Sequence, residues 1–112
     1  MLSDCIFCKI GSGDIRSEKV FGDSTAFAIR DISPKAPLHL LVIPYHHIEA
    51  LTDADDDQRA VVAHCLAVAP QIAESVGAQS YRLVANQGVD AGQEISHFHL
   101  HILGGRPLGA MG

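Results

Sequence analysis

The order of apolar and polar positions along the chain predicts one long helix. Between Thr52 and about Val76, apolar residues recur every three or four positions, which is the period of an amphipathic helix. The members of this stripe are Val61, Cys65, Val68, Ala69, Ile72 and Val76. The predicted first turn contains four aspartates, Asp53, Asp55, Asp56 and Asp57, at a position where the helix dipole favours carboxylates. A calcium-binding loop is the alternative, but it would need a glycine and a closing glutamate that this segment lacks. Pro70 interrupts the stripe, so we expect a kink or a local break there.

Shorter apolar segments predict about five strands. They are Lys19–Phe21, Ala26–Asp31, His39–Ile43, Ser80–Ala85 and Glu94–Leu103. A tight turn at Gly22-Asp23-Ser24 joins the first two, and the two prolines of Ser33–Pro37 predict a stiff extended loop before the third. A strand-rich half, one helix and a final hairpin favour an α+β fold in which an antiparallel sheet carries a helix on one face.

Length and composition place limits on the function. A chain of 112 residues with 47% hydrophobic residues is typical of one globular domain, here spanning 1–112. No apolar run is long enough to span a membrane, and Met1-Leu2-Ser3-Asp4 does not resemble an export signal, so we expect a cytoplasmic protein. The net charge of −5 and only eight scattered Lys and Arg residues argue against a nucleic-acid partner.

Three histidines alternate with apolar residues near the end of the chain. In an extended strand His97, His99 and His101 would share one face, while Phe98 and Leu100 would face the core. One interpretation is nucleophilic attack by an imidazole on a phosphoryl group. A three-histidine catalytic metal site and a merely polar solvent face are the alternatives.

The loop before this row could supply donors to a phosphate. Asn86 and Gln93 carry amide side chains, and Gly88 and Gly92 would expose backbone N–H groups beside them. Such donors absorb the charge that develops when a nucleophile attacks phosphorus.

The segment from His97 to Leu103, HxHxH followed by two apolar residues, resembles the signature of the histidine-triad family of nucleotide hydrolases and transferases. Further segments occur in the family's order. These are Cys5–Ile10, Asp31–Pro37, Leu41–Pro44 followed by His47, and Asn86–Gln93. The transferase branch usually has glutamine at the position of His101, so in this respect the chain resembles the hydrolases. The short chain and Leu103-Gly104-Gly105-Arg106 resemble the Hint branch of adenosine phosphoramidate hydrolases.

The resemblance implies a fold of about five antiparallel strands, one long helix and a short N-terminal helix. It implies that His99 is the nucleophile, that His101 assists proton transfer at the phosphate or leaving group, and that His39 supports them. The substrate contacts it implies are Asn86 and Gln93 to the phosphate, Asp31 to the ribose, and Phe7, Ile10, Ile29 and Ile32 to the base.

The family resemblance also implies a homodimer, a purine nucleotide substrate and no catalytic metal. Many Hint-branch members have serine where this chain has Glu94, so the preferred leaving group stays open. A nucleotide-binding signalling module with little turnover and a diadenosine polyphosphate hydrolase are the competing functions.

The pair Cys5 and Cys8 forms a CxxC motif, which is typical of metal or redox sites. The segment lacks the βαβ context of a thioredoxin-like motif, and zinc would need two more ligands from among His46, His47 and His97. Similar bacterial triad proteins imply a structural zinc held by Cys5, Cys8, His47 and His97. His46 would then lie in solvent.

Overall fold

The computed structural model describes residues 4–112, which form one five-stranded sheet, two α-helices and a one-turn 3-10 helix (Val89–Ala91). The strands are β1 (Lys19–Gly22), β2 (Ala26–Arg30), β3 (Leu38–Pro44), β4 (Tyr81–Val84) and β5 (Leu100–Gly104), and the helices are α1 (Ile6–Ser12) and α2 (Asp56–Ser75). Every neighbouring pair is antiparallel, in the order β1-β2-β3-β5-β4. The predicted α+β fold is confirmed. The predicted absence of an export signal rests partly on Met1–Ser3, which lie outside the described residues.

The two faces of the sheet carry separate apolar clusters. On one face α2 packs against the sheet through Cys65, Ala69 and Ile72, as its stripe predicts, together with Phe98 and Ile102 among others. On the other face, residues of α1 pack against the sheet in a smaller cluster: Phe7, Ile10, Phe27, Ile29, Leu41 and Ile43. The strand residues alternate between the two clusters, so the second face lies beneath α1.

Helix α2 is shorter than predicted at its start. It begins at Asp56 because Asp55 is the N-cap: the Asp55 side chain accepts from the Gln58 N–H at 2.8 Å, and the Gln58 side chain accepts from the Asp55 N–H at 3.0 Å. Asp53 therefore lies outside the first turn. We expected a kink or a local break at Pro70; the helix continues through this residue, so the break does not occur.

The last strand is also shorter than predicted. Residues 94–99 are not in a strand, since the His97 N–H donates to the Ile95 carbonyl at 2.9 Å and the Phe98 N–H donates to the Ile48 carbonyl at 2.8 Å. His97 and His99 therefore precede β5, and only His101 lies within it. Within residues 4–112, neither helix is long and apolar enough to cross a membrane.

Candidate active site and metal centre

A pocket of about 600 Å³ opens beneath α1, a size typical of small-molecule sites. Most of the side chains assigned to catalysis or substrate binding line it. They are Phe7, Ile10, Ile29, Asp31, Ile32, His39, Asn86, His99 and His101. Gln93 is not among the lining residues, whereas its neighbours Gly92 and Glu94 are.

The register of β3 and β5 brings two histidines together. His39 lies opposite Leu103, and His101 lies opposite Leu41, so the imidazoles are diagonal neighbours on one face. His39 Nε2 and His101 Nδ1 are 2.9 Å apart. Leu41 and Leu103 fill the other diagonal and also line the pocket. Sequence reasoning missed both, although the period-2 spacing from His39 and His101 indicates them.

A main-chain carbonyl fixes the tautomer of His99. Its Nδ1 lies 2.8 Å from the His97 carbonyl oxygen, which can only accept, so Nδ1 carries the proton. The lone pair of neutral His99 is therefore on Nε2. His99 is buried at 9% exposure, and its ring lies edge-on to Phe7, with centroids 5.1 Å apart. This arrangement is suited to a nucleophile that is held by its other nitrogen.

A main-chain amide fixes the tautomers of the other two histidines. The Lys35 N–H donates to His39 Nδ1 at 3.0 Å, so neutral His39 carries its proton on Nε2. His39 Nε2–H then donates to His101 Nδ1, which leaves the proton of neutral His101 on Nε2. His99 and His101, with centroids 5.0 Å apart, thus combine a lone pair with a proton donor in one pocket.

Burial keeps this histidine pair neutral. Desolvation lowers the pKa of His101 to about 4, with a further lowering from His99 and His39. Desolvation also lowers the pKa of His39, although the Asp31 carboxylate opposes the shift. Asp31 Oδ2 lies 3.5 Å from His39 Nε2, and Asp31 Oδ1 accepts from the Ser33 N–H at 2.7 Å. The Asp31 carboxylate therefore shapes the loop before β3 as well as facing the pocket.

The loop between β4 and β5 is held by one of the predicted phosphate ligands. The Gly88 N–H donates to Gln93 Oε1 at 2.8 Å, so this oxygen braces the loop. Gly88 and Gly92 have φ angles of 93° and 98°, which favour glycine and allow the tight turn. Asn86 lies beside Gly92 and lines the pocket.

The apolar end of the pocket combines buried and exposed side chains. Phe7, Ile10 and Ile29 are buried, at 4% to 6% exposure. Ile32 is 98% exposed, so its side chain is at the rim and open to a ligand. An apolar wall of this kind is suited to the face of a flat base.

The four predicted metal ligands converge, and their donor atoms lie within 4.8 Å of one another: Cys5, Cys8, His47 and His97. The His47 and His97 Nδ1 atoms are 3.1 Å apart. Sulfur–nitrogen distances are 3.3 Å for Cys5 to His97, and 3.3 and 3.6 Å for Cys8 to His47 and His97. His46 is exposed, as predicted.

These residues fit a tetrahedral zinc ion. Zn–S and Zn–N bonds of about 2.3 and 2.05 Å give tetrahedral edges of about 3.3 Å between nitrogens and about 3.5 Å between sulfur and nitrogen. His97 Nε2–H donates to the Pro44 carbonyl at 2.8 Å, so the His97 lone pair is on Nδ1, inside the cluster. Burial lowers the pKa of His97 to about 4, which keeps the ring neutral. His47 Nε2 is buried without a hydrogen-bond partner in residues 4–112, a cost that a bond at Nδ1 would offset.

Asp31, His39 and His101 form a second group that could hold a cation. The tautomers of His39 and His101 argue against a metal ion at this position. The Lys35 N–H occupies His39 Nδ1, so a cation at Nε2 would have to displace the proton bound there. The geometry favours a proton relay at this position, rather than a metal site.

Comparisons with known proteins identify relatives over almost the whole chain. The family model described as scavenger mRNA decapping enzyme C-term binding matches residues 4–108. The purine nucleoside phosphoramidase of Escherichia coli (strain K12) is 42% identical over 113 aligned residues, which cover 99% of this chain and 95% of that protein.

Solved structures are similar over almost the whole chain. A histidine triad protein from Clostridium difficile has a TM-score of 0.93 at 40% identity, covering 100% of this chain and 99% of that one. A HIT family hydrolase from Legionella pneumophila has a TM-score of 0.89 at 44% identity, covering 95% and 96%. With His99 and His101 of its HxHxH row lining the pocket, the chain belongs to the histidine-triad family.

Proposed function

We propose that this protein is a hydrolase of purine nucleoside phosphoramidates that works through a nucleotide covalently bound to His99. The observation that carries the proposal is the pair of tautomers: His99 presents a lone pair on Nε2, and His101 presents a proton on Nε2, in one pocket. The phosphoramidase activity of the Escherichia coli relative supports the choice of substrate.

The reaction has two steps. In the first, His99 Nε2 forms a bond to the α-phosphorus and the P–N bond breaks; the substrate nitrogen, protonated from solvent, leaves as a neutral amine that accepts a hydrogen bond from His101 Nε2–H. The positive charge that develops on the His99 ring is stabilised by the His97 carbonyl. In the second step water attacks the phosphorus, the bond to His99 breaks so that His99 returns to its neutral form, and the proton of the water passes to solvent.

The remaining residues bind the nucleotide. Asn86 and the N–H groups of the loop before β5 contact the phosphate, together with Gln93 once its amide is free to turn. The Oδ2 atom of Asp31 accepts from the ribose hydroxyls. The base lies against Phe7, Ile10, Ile29 and Ile32.

Zinc is the metal that we assign to Cys5, Cys8, His47 and His97, where a bound ion supplies a structural cross-link. About one equivalent of zinc in protein purified without chelator tests this assignment, and less than a tenth of an equivalent would contradict it. We also propose a single domain, a homodimer, and a cytoplasmic location in which Cys5 and Cys8 stay reduced.

The test of the hydrolase is His99→Ala, assayed with an adenosine phosphoramidate. Turnover should be lost while AMP binding, measured by calorimetry, persists. Hydrolysis by this variant at close to the original rate would refute the mechanism. A protein that binds AMP but shows no turnover at all would instead be a nucleotide-binding module.

A further inference from the structure

The metal cluster and the proposed nucleophile are joined through one residue, His97. The His97 Nδ1 atom belongs to the cluster, while the His97 carbonyl accepts from His99 Nδ1–H at 2.8 Å. That carbonyl is what places the His99 lone pair on Nε2. A shift of the His97 main chain would therefore loosen the tautomer on which the proposed attack depends.

A second connection runs through Phe7, which lies between the two cysteines in sequence. The Phe7 ring is 4% exposed and lies edge-on to both His97 and His99, with centroids 5.7 and 5.1 Å away. Phe7 also lines the pocket. The same short segment thus carries two metal ligands and one wall of the nucleotide site.

Helix α1 cannot hold this arrangement by itself. It has seven residues, well below the roughly 12 to 15 at which an isolated helix becomes even marginally stable. Its N-cap is Cys5, whose sulfur lies 3.5 Å from the Cys8 N–H. The cluster links this end of α1 to His47 and His97, beside β3 and β5.

We propose that the cluster is a positioning site: its metal-loaded form fixes Phe7 and the His97 carbonyl, and thereby orients His99 and completes the nucleotide pocket. The proposal rests on the proposed function for the identity of the nucleophile and of the metal. The cluster residues do not touch the reacting atoms. They act through Phe7 and the His97 main chain.

The first experiment compares zinc-loaded and chelator-stripped protein, with AMP as the probe. Stripping should raise the AMP Kd at least tenfold, about 1.4 kcal/mol, and adding zinc should restore it. Nitrogen-15 NMR of the histidine rings should show a single Nδ1–H tautomer of His99 in the loaded protein and a mixture in the stripped protein.

A pair of variants separates positioning from loss of a thiol. Cys5→Ser removes a metal ligand but retains an N-cap side chain, and it should reproduce the effects of stripping. Cys5→His keeps a ligand at this position and should recover most of the affinity and the single His99 tautomer. His46→Ala, which changes an exposed histidine beside His47, is the control and should behave as the unaltered protein.

Two results would overturn the proposal. One is a stripped protein that melts at a lower temperature but binds AMP within twofold of the loaded protein, with His99 unchanged. The other is loss of the far-UV circular dichroism signal on stripping, since the cluster would then be required for folding. A loaded protein that binds AMP in a metal-dependent way without cleaving phosphoramidates would refute the hydrolase alone.

Discussion

The main-chain amide of Lys35 should control the direction of proton transfer between His39 and His101. The substitution Lys35→Pro removes that N–H, while Lys35→Ala removes only the charged side chain. The comparison of the two variants isolates the amide, because both lose the Lys35 ammonium, which lowers the pKa of His39 and of His101. Every described non-glycine residue has a negative φ, a sign that proline shares.

The expected magnitude follows from burial. His39 is 5% exposed, so its Nδ1 atom would lose a 3.0 Å hydrogen bond without replacement by bulk water. An unsatisfied buried acceptor costs about 1 to 3 kcal/mol, and a free energy of this size corresponds to a factor of about 5 to 150 in an equilibrium or rate constant. Relative to Lys35→Ala, we expect Lys35→Pro to lower kcat/KM for an adenosine phosphoramidate by a factor in this range.

The pH profile gives an independent readout. A donor facing Nδ1 favours the neutral form of His39, so loss of the amide should raise the pKa of His39. The acidic limb of the kcat/KM profile should then move to higher pH in Lys35→Pro, relative to Lys35→Ala. Circular dichroism and melting temperature check that the loop substitution leaves the fold intact.

Metal sensitivity should change as well. Without the amide, His39 can carry its proton on Nδ1 and offer Nε2 to a cation together with His101 and Asp31. Added Zn²⁺ should inhibit Lys35→Pro at lower concentration than Lys35→Ala. Equal kcat/KM, equal pH profiles and equal zinc sensitivity in the two variants would refute the assignment of the tautomers.

Three further predictions concern stability and binding. Asp55→Ala should lower the free energy of unfolding by about 1 kcal/mol in urea titrations because it removes the N-cap of α2, whereas Asp53→Ala should have little effect. The pKa of His101 is about 4 in the folded protein and about 6.5 in the unfolded chain, so the unfolded chain binds more protons between these two pH values. The free energy of unfolding should therefore fall as the pH is lowered from 6.5 to 4. The fall should be less steep in His101→Gln. Asp31→Asn retains the Oδ1 acceptor for the Ser33 N–H but loses the charge that we propose faces the ribose, and it should raise KM about tenfold with a smaller change in kcat.

Local patterns predicted the elements well. The stripe of α2 predicted the buried Cys65, Ala69 and Ile72, and alternation after residue 97 placed Phe98 in the same core. The start of α2 was predicted too early because the cluster of aspartates does not show which one is the cap. The Asp55 and Gln58 pair is the signal that locates it.

The end of the last strand was harder to predict. A strict HxHxH alternation is typical of one strand, but the Phe98 N–H donates to the carbonyl of Ile48, some 50 residues away in sequence. The tautomers could not be predicted from the sequence either. They depend on main-chain groups of Lys35, Pro44 and His97, whose positions are set by the folded chain.

The most direct test of the proposed hydrolase is a rapid-quench reaction with excess enzyme, followed by mass spectrometry of the intact protein and of its peptides. An adenosine phosphoramidate should transiently add the mass of one adenylyl group, located on His99, and the adduct should form and decay at rates consistent with turnover. Turnover by this protein without any adduct, or with the adduct on another residue, would contradict the proposal.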